Sequence, residues 1–293
     1  MTDDRAGTRG QEHRIEIDAP PEAVWKAISD AEEVTRWFVV DAEIDGRVGG
    51  TYRVSWGEGM DGISDITVWE PGRHLQVKHR PMPGAPDIAS GPIVEEYFIE
   101  REGDRTVVRL VTSGIPATED WDWFYDGTKR GWTIFMLGLR HYLERHAGTP
   151  RDQVVSMVSL PGSCDEAWPI LTGPDGLGFG AELAEASAGS RYETTTAFGD
   201  RLEGEILLID PPYRLLATVE GLDDALLGLT LEQMGPSNLL YFALSTFGLP
   251  ADTVKGLESR WLPRLEALFP AGDAPAAAFQ DAYGEAPPRA EDR

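Results

Sequence analysis

The chain has 293 residues, enough for two domains of ordinary size, and its 41% hydrophobic and 26% charged residues are typical of globular proteins. A formal net charge of −24 disfavours nucleic acid and anionic membranes as partners, because both are negatively charged. The single cysteine, Cys164, excludes an intrachain disulfide and a cysteine-rich metal site. A polar N-terminus and the absence of a long apolar run predict a cytoplasmic protein.

The first half of the chain is predicted to contain strands, short helices, further strands and then one long helix. An alternating strand, HRIEIDAP, precedes a short helix around Trp25. Turn signals rich in glycine, aspartate and proline then separate several strands, at residues 45–50, 70–72 and 103–104. The segment RGWTIFMLGLRHYLERH, from Arg130, has apolar residues at helical spacing, which predicts an amphipathic helix.

The second half repeats this pattern. The same spacing separates Tyr52 from Tyr192 and Pro71 from Pro211. The segment RPMPGAPDIASGP (80–92) has no counterpart in the second copy and is predicted to be a loop. The second copy closes with ESRWLPRLEALF, from Glu258, where Pro263 predicts a kink or a late start of the helix.

An antiparallel sheet must cover its apolar face, and the closing helix is the long element available in each copy. The sequence therefore predicts an α+β fold with two tandem helix-grip domains, each a curved antiparallel sheet wrapped around a long C-terminal helix. The expected boundaries are 12–147 for domain 1 and 152–270 for a degenerate domain 2. Residues 1–11 and 271–293 are predicted to be disordered, because they are polar or rich in alanine, proline and acid.

Several short motifs occur in order within the first copy, at about residues 13–146. They are I-x-A-P-x-x-x-V-W (17–25), Trp37, Gly49-Gly50, Trp69-Glu70-Pro71 with Leu75, residues 103–114, and Gly131-Trp132 at the start of the last helix. This ordered set resembles the START-like (SRPBCC, Bet v-like helix-grip) superfamily. Within it, the set is most similar to the domain named after the activator of heat shock protein 90 ATPase. The second copy resembles the same superfamily less closely.

The resemblance implies a cavity between the sheet and the long helix. Members of the superfamily bind lipids, polyketides or other hydrophobic molecules, and some cyclise or dehydrate polyketides. We therefore expect domain 1 to bind a hydrophobic small molecule, with cyclase-like proton transfer left open. The alternative is a co-chaperone-like module that binds a protein without catalysis, although the sequence contains nothing similar to the chaperone-binding domain of the eukaryotic activators. A ligand-binding domain should contain a cavity of a few hundred Å³, whereas an interaction module should expose an apolar patch.

Strand alternation indicates which side chains face the predicted cavity. His79, Glu95 and Thr112 are then polar groups on an otherwise apolar face, and a buried carboxylate beside an imidazole is a potential acid–base pair. In the alternative interpretation His79 and Glu95 lie at the rim and are solvated. No catalytic residue is assigned, and the candidate ligand-binding residues are His79, Glu95, Thr112, Tyr52, Trp56, Tyr97, Trp132, Phe135 and Met136.

The aromatic segment EDWDWFYDGTKRGW, at residues 119–132, is predicted either to line the mouth of the cavity or to fix a loop to the core. The matched strand faces of the second copy are mainly aliphatic, which predicts a filled core or a purely apolar pocket. No metal-ligand spacing, P-loop or G-x-S-x-G motif is present, so no metal or cofactor is expected. The glycines of GPDGLGFG follow a short helix rather than a strand, which disfavours a dinucleotide site.

Overall fold

The computed structural model describes residues 7–57, 61–80, 92–180, 182–234 and 237–269. Most of the predicted loop at 80–92 and the predicted tail at 271–293 therefore lie outside the described residues. The described chain divides into two compact units between Gly148 and Thr149. No helix within the described ranges combines the length and apolar character needed to span a membrane.

The first unit contains a seven-stranded antiparallel sheet and three α-helices within its described residues. Its strands are β1 (Thr8–Ile17), β2 (Asp41–Ile44), β3 (Thr51–Ser55), β4 (Asp61–Glu70), β5 (His74–His79), β6 (Val94–Glu102) and β7 (Arg105–Pro116). Its helices are α1 (Pro21–Ser29), α2 (Ala31–Thr35) and α3 (Asp122–Arg145). The strand order is β1-β7-β6-β5-β4-β3-β2, so the first and last strands of the unit are neighbours.

The second unit contains a six-stranded antiparallel sheet with the same plan. Its strands are β8 (Arg151–Leu160), β9 (Arg191–Thr195), β10 (Arg201–Asp210), β11 (Arg214–Val219), β12 (Ala225–Met234) and β13 (Ser237–Phe247). Its helices are α4 (Cys164–Thr172), α5 (Glu182–Glu185) and α6 (Ala251–Leu268). The strand order is β8-β13-β12-β11-β10-β9. The predicted fold, two α+β domains that each close with a long helix, is confirmed.

The landmarks of the sequence repeat occupy equivalent places in the two sheets. Tyr52 of β3 pairs with Ser64 of β4, and Tyr192 of β9 pairs with Gly204 of β10. Pro71 lies in the turn between β4 and β5, as Pro211 does between β10 and β11. The predicted turns at 45–50, 70–72 and 103–104 also lie between strands.

Strand β1 begins at Thr8, so residues 8–11 belong to the sheet rather than to a disordered N-terminus. The reason is that β7 continues to Pro116, so its backbone offers pairing partners to Thr8 and Arg9. The register of the two strands shifts between Arg9 and Gln11. A Cβ atom on Gly10 would lie 2.7 Å from the carbonyl oxygen of Thr112, so this close approach requires glycine.

Helix α3 begins at Asp122, well before the predicted start at Arg130. Its first turn is stabilised by packing, because Trp121 and Phe124 contact a small core formed with Ile93 and Ile115. Further along, one face buries Trp132, Met136, Leu139 and Leu143, at the helical spacing that the sequence predicts.

Helix α6 begins at Ala251, so the late start suggested by Pro263 is wrong. Proline inside a helix costs about 3 kcal/mol because one backbone hydrogen bond is lost. Leu257, Trp261 and Leu265 are buried at four-residue spacing, and Trp261 is fully buried. Each such burial contributes roughly 1.5–3 kcal/mol, so together they outweigh the cost of the proline.

A buried carboxylate joins α2 to the end of α3. Glu33, whose side chain is 7% exposed, accepts hydrogen bonds from Lys26, Arg36 and Tyr142. Burial by itself raises the pKa of this carboxyl, but the three partners outweigh it, so the pKa lies below its ordinary value. The Tyr142 hydroxyl also accepts a hydrogen bond of 2.9 Å from the backbone N–H of Gly148.

Candidate functional site

Three polar side chains stand side by side on the face of the first sheet that α3 covers. Gln11 of β1 pairs directly with Thr112 of β7, and Thr112 pairs with Glu95 of β6. Their exposures are only 6%, 0% and 8%. We call Gln11, Thr112 and Glu95 the polar row. Because paired residues in a sheet point to the same side, the row presents three polar groups on the side of the sheet that α3 covers.

Glu95 is the centre of the candidate site. Its Oε1 accepts a hydrogen bond of 2.9 Å from the indole Nε1 of Trp132 on α3. Its Oε2 lies 3.3 Å from Nε2 of His79, an ion-pair distance without the alignment of a hydrogen bond. The side chain of Glu95 is 11% exposed and that of His79 is 29% exposed. The interpretation of a solvated rim pair is therefore wrong for Glu95, which is enclosed, while His79 retains partial access to solvent.

Two opposing effects act on the imidazole of His79. Burial lowers its pKa, because the charged form loses water, whereas the negative charge of nearby Glu95 raises the pKa. The attraction prevails, so the pKa of His79 lies above the ordinary histidine value. Burial and the charge of Glu95 also raise the pKa of Tyr97 well above its usual range, which keeps that phenol neutral.

Aromatic rings form a wall beside Glu95. Phe38, which follows α2, stacks on Trp132 with ring centroids 5.2 Å apart and an interplanar angle of 25°. Phe38 also meets Trp56 and Phe135 edge to face, with ring centroids 5.3 Å and 4.8 Å apart. Tyr97 meets Trp132 edge to face, with ring centroids 5.9 Å apart. These contacts fix the indole in position to donate its hydrogen to Glu95.

Part of the polar row has no hydrogen-bond partner among the described residues. The atoms concerned are Oγ1 of Thr112 and both Oε1 and Nε2 of Gln11, and all three are buried. Leaving a buried polar group without a partner costs about 1–3 kcal/mol. Such groups are uncommon in folded proteins.

The structure separates the nine candidate residues of the sequence analysis into groups. Glu95, His79, Trp132, Phe135, Trp56 and Tyr97 lie together around the aromatic wall, and Thr112 lies beside Glu95. Tyr52 is buried, but its hydroxyl donates to the carbonyl oxygen of Ile28 at 3.1 Å and so connects the sheet to α1. Met136 is 3% exposed on α3. Trp56 lies just beyond the end of β3 and reaches the site through Phe38.

Sequence reasoning missed Gln11, Phe38 and Ser64. Gln11 was placed in the disordered N-terminus, although its spacing from His13 and Ile15 continues the inward alternation. Phe38 adjoins Trp37 in the run WFVV, which is too apolar for alternation to show a direction. Ser64 is 5% exposed and pairs with both Tyr52 and His79, so it adds a hydroxyl beside the imidazole.

The aromatic segment at 119–132 lies mostly in the first turns of α3 rather than in a loop before the helix. Trp121 is 4% exposed and contacts Phe124, while Phe124 meets Trp123 edge to face. The carbonyl oxygen of Gly10 accepts a hydrogen bond of 3.4 Å from Tyr125. These contacts favour the interpretation that the segment fixes the start of the helix to the core.

Equivalent positions in the second sheet carry aliphatic side chains. Leu227 pairs with Leu244, and Leu244 pairs with Val154, in the register that joins Glu95, Thr112 and Gln11 in the first sheet. All three are at most 1% exposed. The positions of His79 and Ser64 are occupied by Val219 and Gly204. The inner face of the second unit is therefore apolar where that of the first is polar, which favours the filled-core interpretation.

Two cavities are present in the second unit. One, of about 240 Å³, lies beside α6 and is lined by residues including Asp200, Leu257 and Trp261. The other, of about 510 Å³, lies between the α5 region and the strands β9 and β10. Neither is the cavity expected under α3 of the first unit, and neither is lined by a residue of the polar row. Within the described ranges, neither contains a buried side-chain polar atom without a hydrogen-bond partner.

No group of three or more His, Cys, Asp and Glu residues arranged to hold a metal ion occurs in the described part of the chain. Cys164 is buried, with its sulfur 3.9 Å from the side-chain oxygen of Asn238.

Comparisons with solved structures found similar folds at low identity. The Aha1 dimer from Colwellia psychrerythraea is 24% identical, covers 48% of this chain and 99% of its own, and has a TM-score of 0.42. DynU16, described as a putative protein in the dynemicin biosynthetic locus, is 19% identical with coverages of 94% and 97% and a TM-score of 0.41. The di-domain ARO/CYC BexL from the BE-7585A biosynthetic pathway is 15% identical with coverages of 94% and 93% and a TM-score of 0.42.

A comparison with curated protein sequences found no match. Residues 18–144 match the sequence model of the family described as Activator of Hsp90 ATPase homolog 1-like protein. This range runs from the end of β1 almost to the end of α3, so it contains Glu95, His79 and Trp132. The match and the antiparallel sheet closed by a long helix support an activator of Hsp90 ATPase homolog 1-like domain in the first unit.

Proposed function

We propose that the first unit binds a hydrophobic small molecule between its sheet and α3, with Glu95 and His79 in contact with the ligand. The observation that carries this proposal is the set of buried polar atoms without partners in the polar row. A closed apolar core gains nothing from such atoms, whereas a binding site uses a few polar groups in an apolar pocket to orient its ligand.

The surroundings of the row favour an apolar molecule. Trp132, Phe38, Tyr97, Phe135 and Trp56 form a continuous aromatic surface beside Glu95. Aromatic side chains contribute large apolar contact areas and prefer flat or edge-on partners. A lipid- or polyketide-like ligand can place its carbon skeleton against this surface while its oxygen atoms meet the polar row.

The pair of Glu95 and His79 also has the components of a proton-transfer site. The carboxylate can accept a proton from the ligand, and the imidazole with its raised pKa can donate one to a carbonyl oxygen. Trp132 holds Glu95 from the other side, so the carboxylate keeps one orientation. These roles support cyclase-like chemistry, in which removal of a proton from carbon is assisted by protonation of a neighbouring carbonyl.

The alternative role as a protein-interaction module lacks a supporting observation. The large apolar side chains that are exposed in the described residues are Val40, Val48 and Ile170. Ile170 belongs to the second unit, so the first unit shows no broad apolar patch within its described residues.

Native mass spectrometry of the full chain, compared with the mass after denaturing extraction, tests the proposal. We expect a bound small molecule, either co-purified or taken up from a panel of lipids and aromatic polyketides. His79→Ala and Glu95→Gln should each reduce the bound fraction. A purely apo mass with the whole panel, or unchanged binding in both variants, would contradict the proposal.

The outer face of the same strands offers a matched control. His74 and Glu96 form a second imidazole–carboxylate pair on β5 and β6, with 3.2 Å between Nε2 and Oε1. Their side chains are 20% and 24% exposed and point away from α3. His74→Ala and Glu96→Gln should leave the bound fraction unchanged, because they alter the same chemical groups outside the site.

A further inference from the structure

We propose that Gln11 and Thr112 recognise a neutral oxygen function of the ligand, a hydroxyl or carbonyl group, and so select oxygenated molecules over plain hydrocarbons. This inference rests on the proposed function, because it assigns the polar contacts within the same space beneath α3. It also adds Gln11 to the candidate ligand-binding residues. Gln11 lies outside the family match at residues 18–144 and is not among the nine candidates predicted from the sequence.

The first step is the hydrogen-bonding capacity of the two side chains. A glutamine amide offers two hydrogens and one acceptor oxygen, and a threonine hydroxyl offers one hydrogen and two lone pairs. Gln11 Oε1 and Nε2 and Thr112 Oγ1 are all buried without a partner among the described residues. Direct pairing of the two residues across β1 and β7 places these groups on one side of the sheet. A single ligand oxygen can therefore meet a donor from one residue and an acceptor or donor from the other.

The second step concerns the charge of the ligand group. Gln11 and Thr112 are uncharged, and Glu95, the third member of the row, is a carboxylate that pairs directly with Thr112. A carboxylate or phosphate on the ligand would be repelled by Glu95. Glu95 already faces the imidazole of His79 and the indole N–H of Trp132, so a ligand cation would compete with existing partners. A neutral hydroxyl or carbonyl can form hydrogen bonds with both Gln11 and Thr112 without either conflict.

The second unit shows that the fold itself does not need polar residues here. Val154 and Leu244 pair in the second sheet as Gln11 and Thr112 do in the first, and both are at most 1% exposed. Hydrophobic residues at these positions fill the space without unpaired polar atoms. Gln11 and Thr112 are therefore costly for stability in the first unit, and their benefit has to come from something other than folding.

The binding test uses two probes that differ by one hydroxyl group, naphthalene and 2-naphthol, measured with the full chain by equilibrium dialysis. We expect 2-naphthol to bind at least about 5-fold more tightly, the effect of one hydrogen bond to a buried group without another partner. Thr112→Val and Gln11→Leu should each remove most of this preference. Both variants should change naphthalene binding by less than about twofold, because they keep the apolar shape of the site.

A second measurement requires no ligand. Thr112→Val replaces a hydroxyl by a methyl group of similar volume, so thermal unfolding of the apo protein should shift upward by about 2–4 °C. Thr246 of the second unit is the matched control, because it is also fully buried but its Oγ1 donates to the carbonyl oxygen of Asp152 at 3.2 Å. Thr246→Val should lower the midpoint of thermal unfolding and leave the probe preference intact.

The possible outcomes separate this inference from the proposed function. Equal binding of both probes by the unmodified protein would overturn the inference and leave the binding function standing. Binding of neither probe would contradict both. A fall in the unfolding midpoint of Thr112→Val, similar to that of Thr246→Val, would show that Oγ1 has a structural partner and would also overturn the inference.

Discussion

Trp132 donates its indole hydrogen to Oε1 of Glu95 over 2.9 Å, and this bond joins the long helix of the first unit to the middle of its sheet. A glutamine oxygen at the same position can accept the same bond. Glu95→Gln therefore removes the negative charge beside His79 while it keeps the contact between helix and sheet.

We predict that Glu95→Gln lowers the pKa of His79. The carboxylate raises this pKa in the folded protein, whereas burial alone lowers it. The imidazole resonances of His79, followed by NMR as pH is varied, measure the change directly. An unchanged pKa of His79 in the variant would show that the carboxylate does not act on this imidazole.

The same pair gives a pH dependence of stability. Because the folded-state pKa of His79 is raised, its stabilising contribution is fully present below the ordinary histidine pKa of 6.5. The contribution is lost as pH rises through the folded-state pKa. The free energy of unfolding of the wild type should therefore fall relative to that of Glu95→Gln when urea unfolding is compared at about pH 6 and pH 9. A constant difference between the two proteins would contradict this assignment.

We predict that Tyr142→Phe destabilises the first unit by about 1–3 kcal/mol, because buried Glu33 loses a donor and the Gly148 N–H loses its acceptor. Tyr125→Phe is the control. Its hydroxyl is only partly buried and makes a long hydrogen bond of 3.4 Å to Gly10, so its loss should cost less than about 0.5 kcal/mol. Chemical unfolding of both variants measures the difference, and equal effects would argue against a structural role for the Glu33 network.

We predict that Gly114→Ala is more destabilising than Gly103→Ala. Both glycines have positive φ, 83° and 64°, so alanine is strained at either site by about 1–2 kcal/mol. A Cβ atom on Gly114 would also lie 2.5 Å from the carbonyl oxygen of Pro92, whereas one on Gly103 would meet nothing within 4 Å. Thermal unfolding compares the two variants directly. Equal midpoints would show that the backbone near Pro92 moves aside without cost.

In the second unit, we predict that Trp261→Phe costs about 2–4 kcal/mol. The indole is fully buried and donates to Oδ2 of Asp200 at 2.8 Å, so the variant loses both volume and a hydrogen bond. Asp200→Asn keeps an acceptor for the indole and loses mainly the ion pair with half-exposed Arg260, so it should cost about 0–1 kcal/mol. A smaller effect for Trp261→Phe than for Asp200→Asn in urea unfolding would contradict this account.

The sequence was sufficient for the architecture because the relevant signals are local and repeated. Alternating residues mark each strand face, glycine and proline mark the turns, and Tyr52 and Tyr192 fix the register of the repeat. The limits of the elements were less predictable. Residues 8–11 join β1 because β7 offers them a partner, and the first turns of α3 depend on packing of Trp121 against Ile93 and Ile115.

The site was predictable only in part, because contacts between distant parts of the chain bring its residues together. Alternation places Glu95 and Thr112 on the inner face, but the pairing of Gln11 with Thr112 joins residues that are far apart in the chain. The role of Phe38 depends on ring contacts with Trp56, just beyond β3, and with Trp132 and Phe135 on α3, which no periodicity reveals. The proximity of His79 to Glu95 likewise follows from the register of β5 and β6 rather than from either strand alone.

The inner face of the first sheet has a polarity gradient along its strands. Ile15, Val108 and Ile99 pair across the same three strands as the polar row, and none of them is more than 9% exposed. On each strand, this residue is four positions away from the member of the polar row, a distance of about 13 Å. Under the proposed function, a ligand with an oxygenated head and a hydrocarbon tail would match this face in one orientation only, and its length would decide whether both ends are matched.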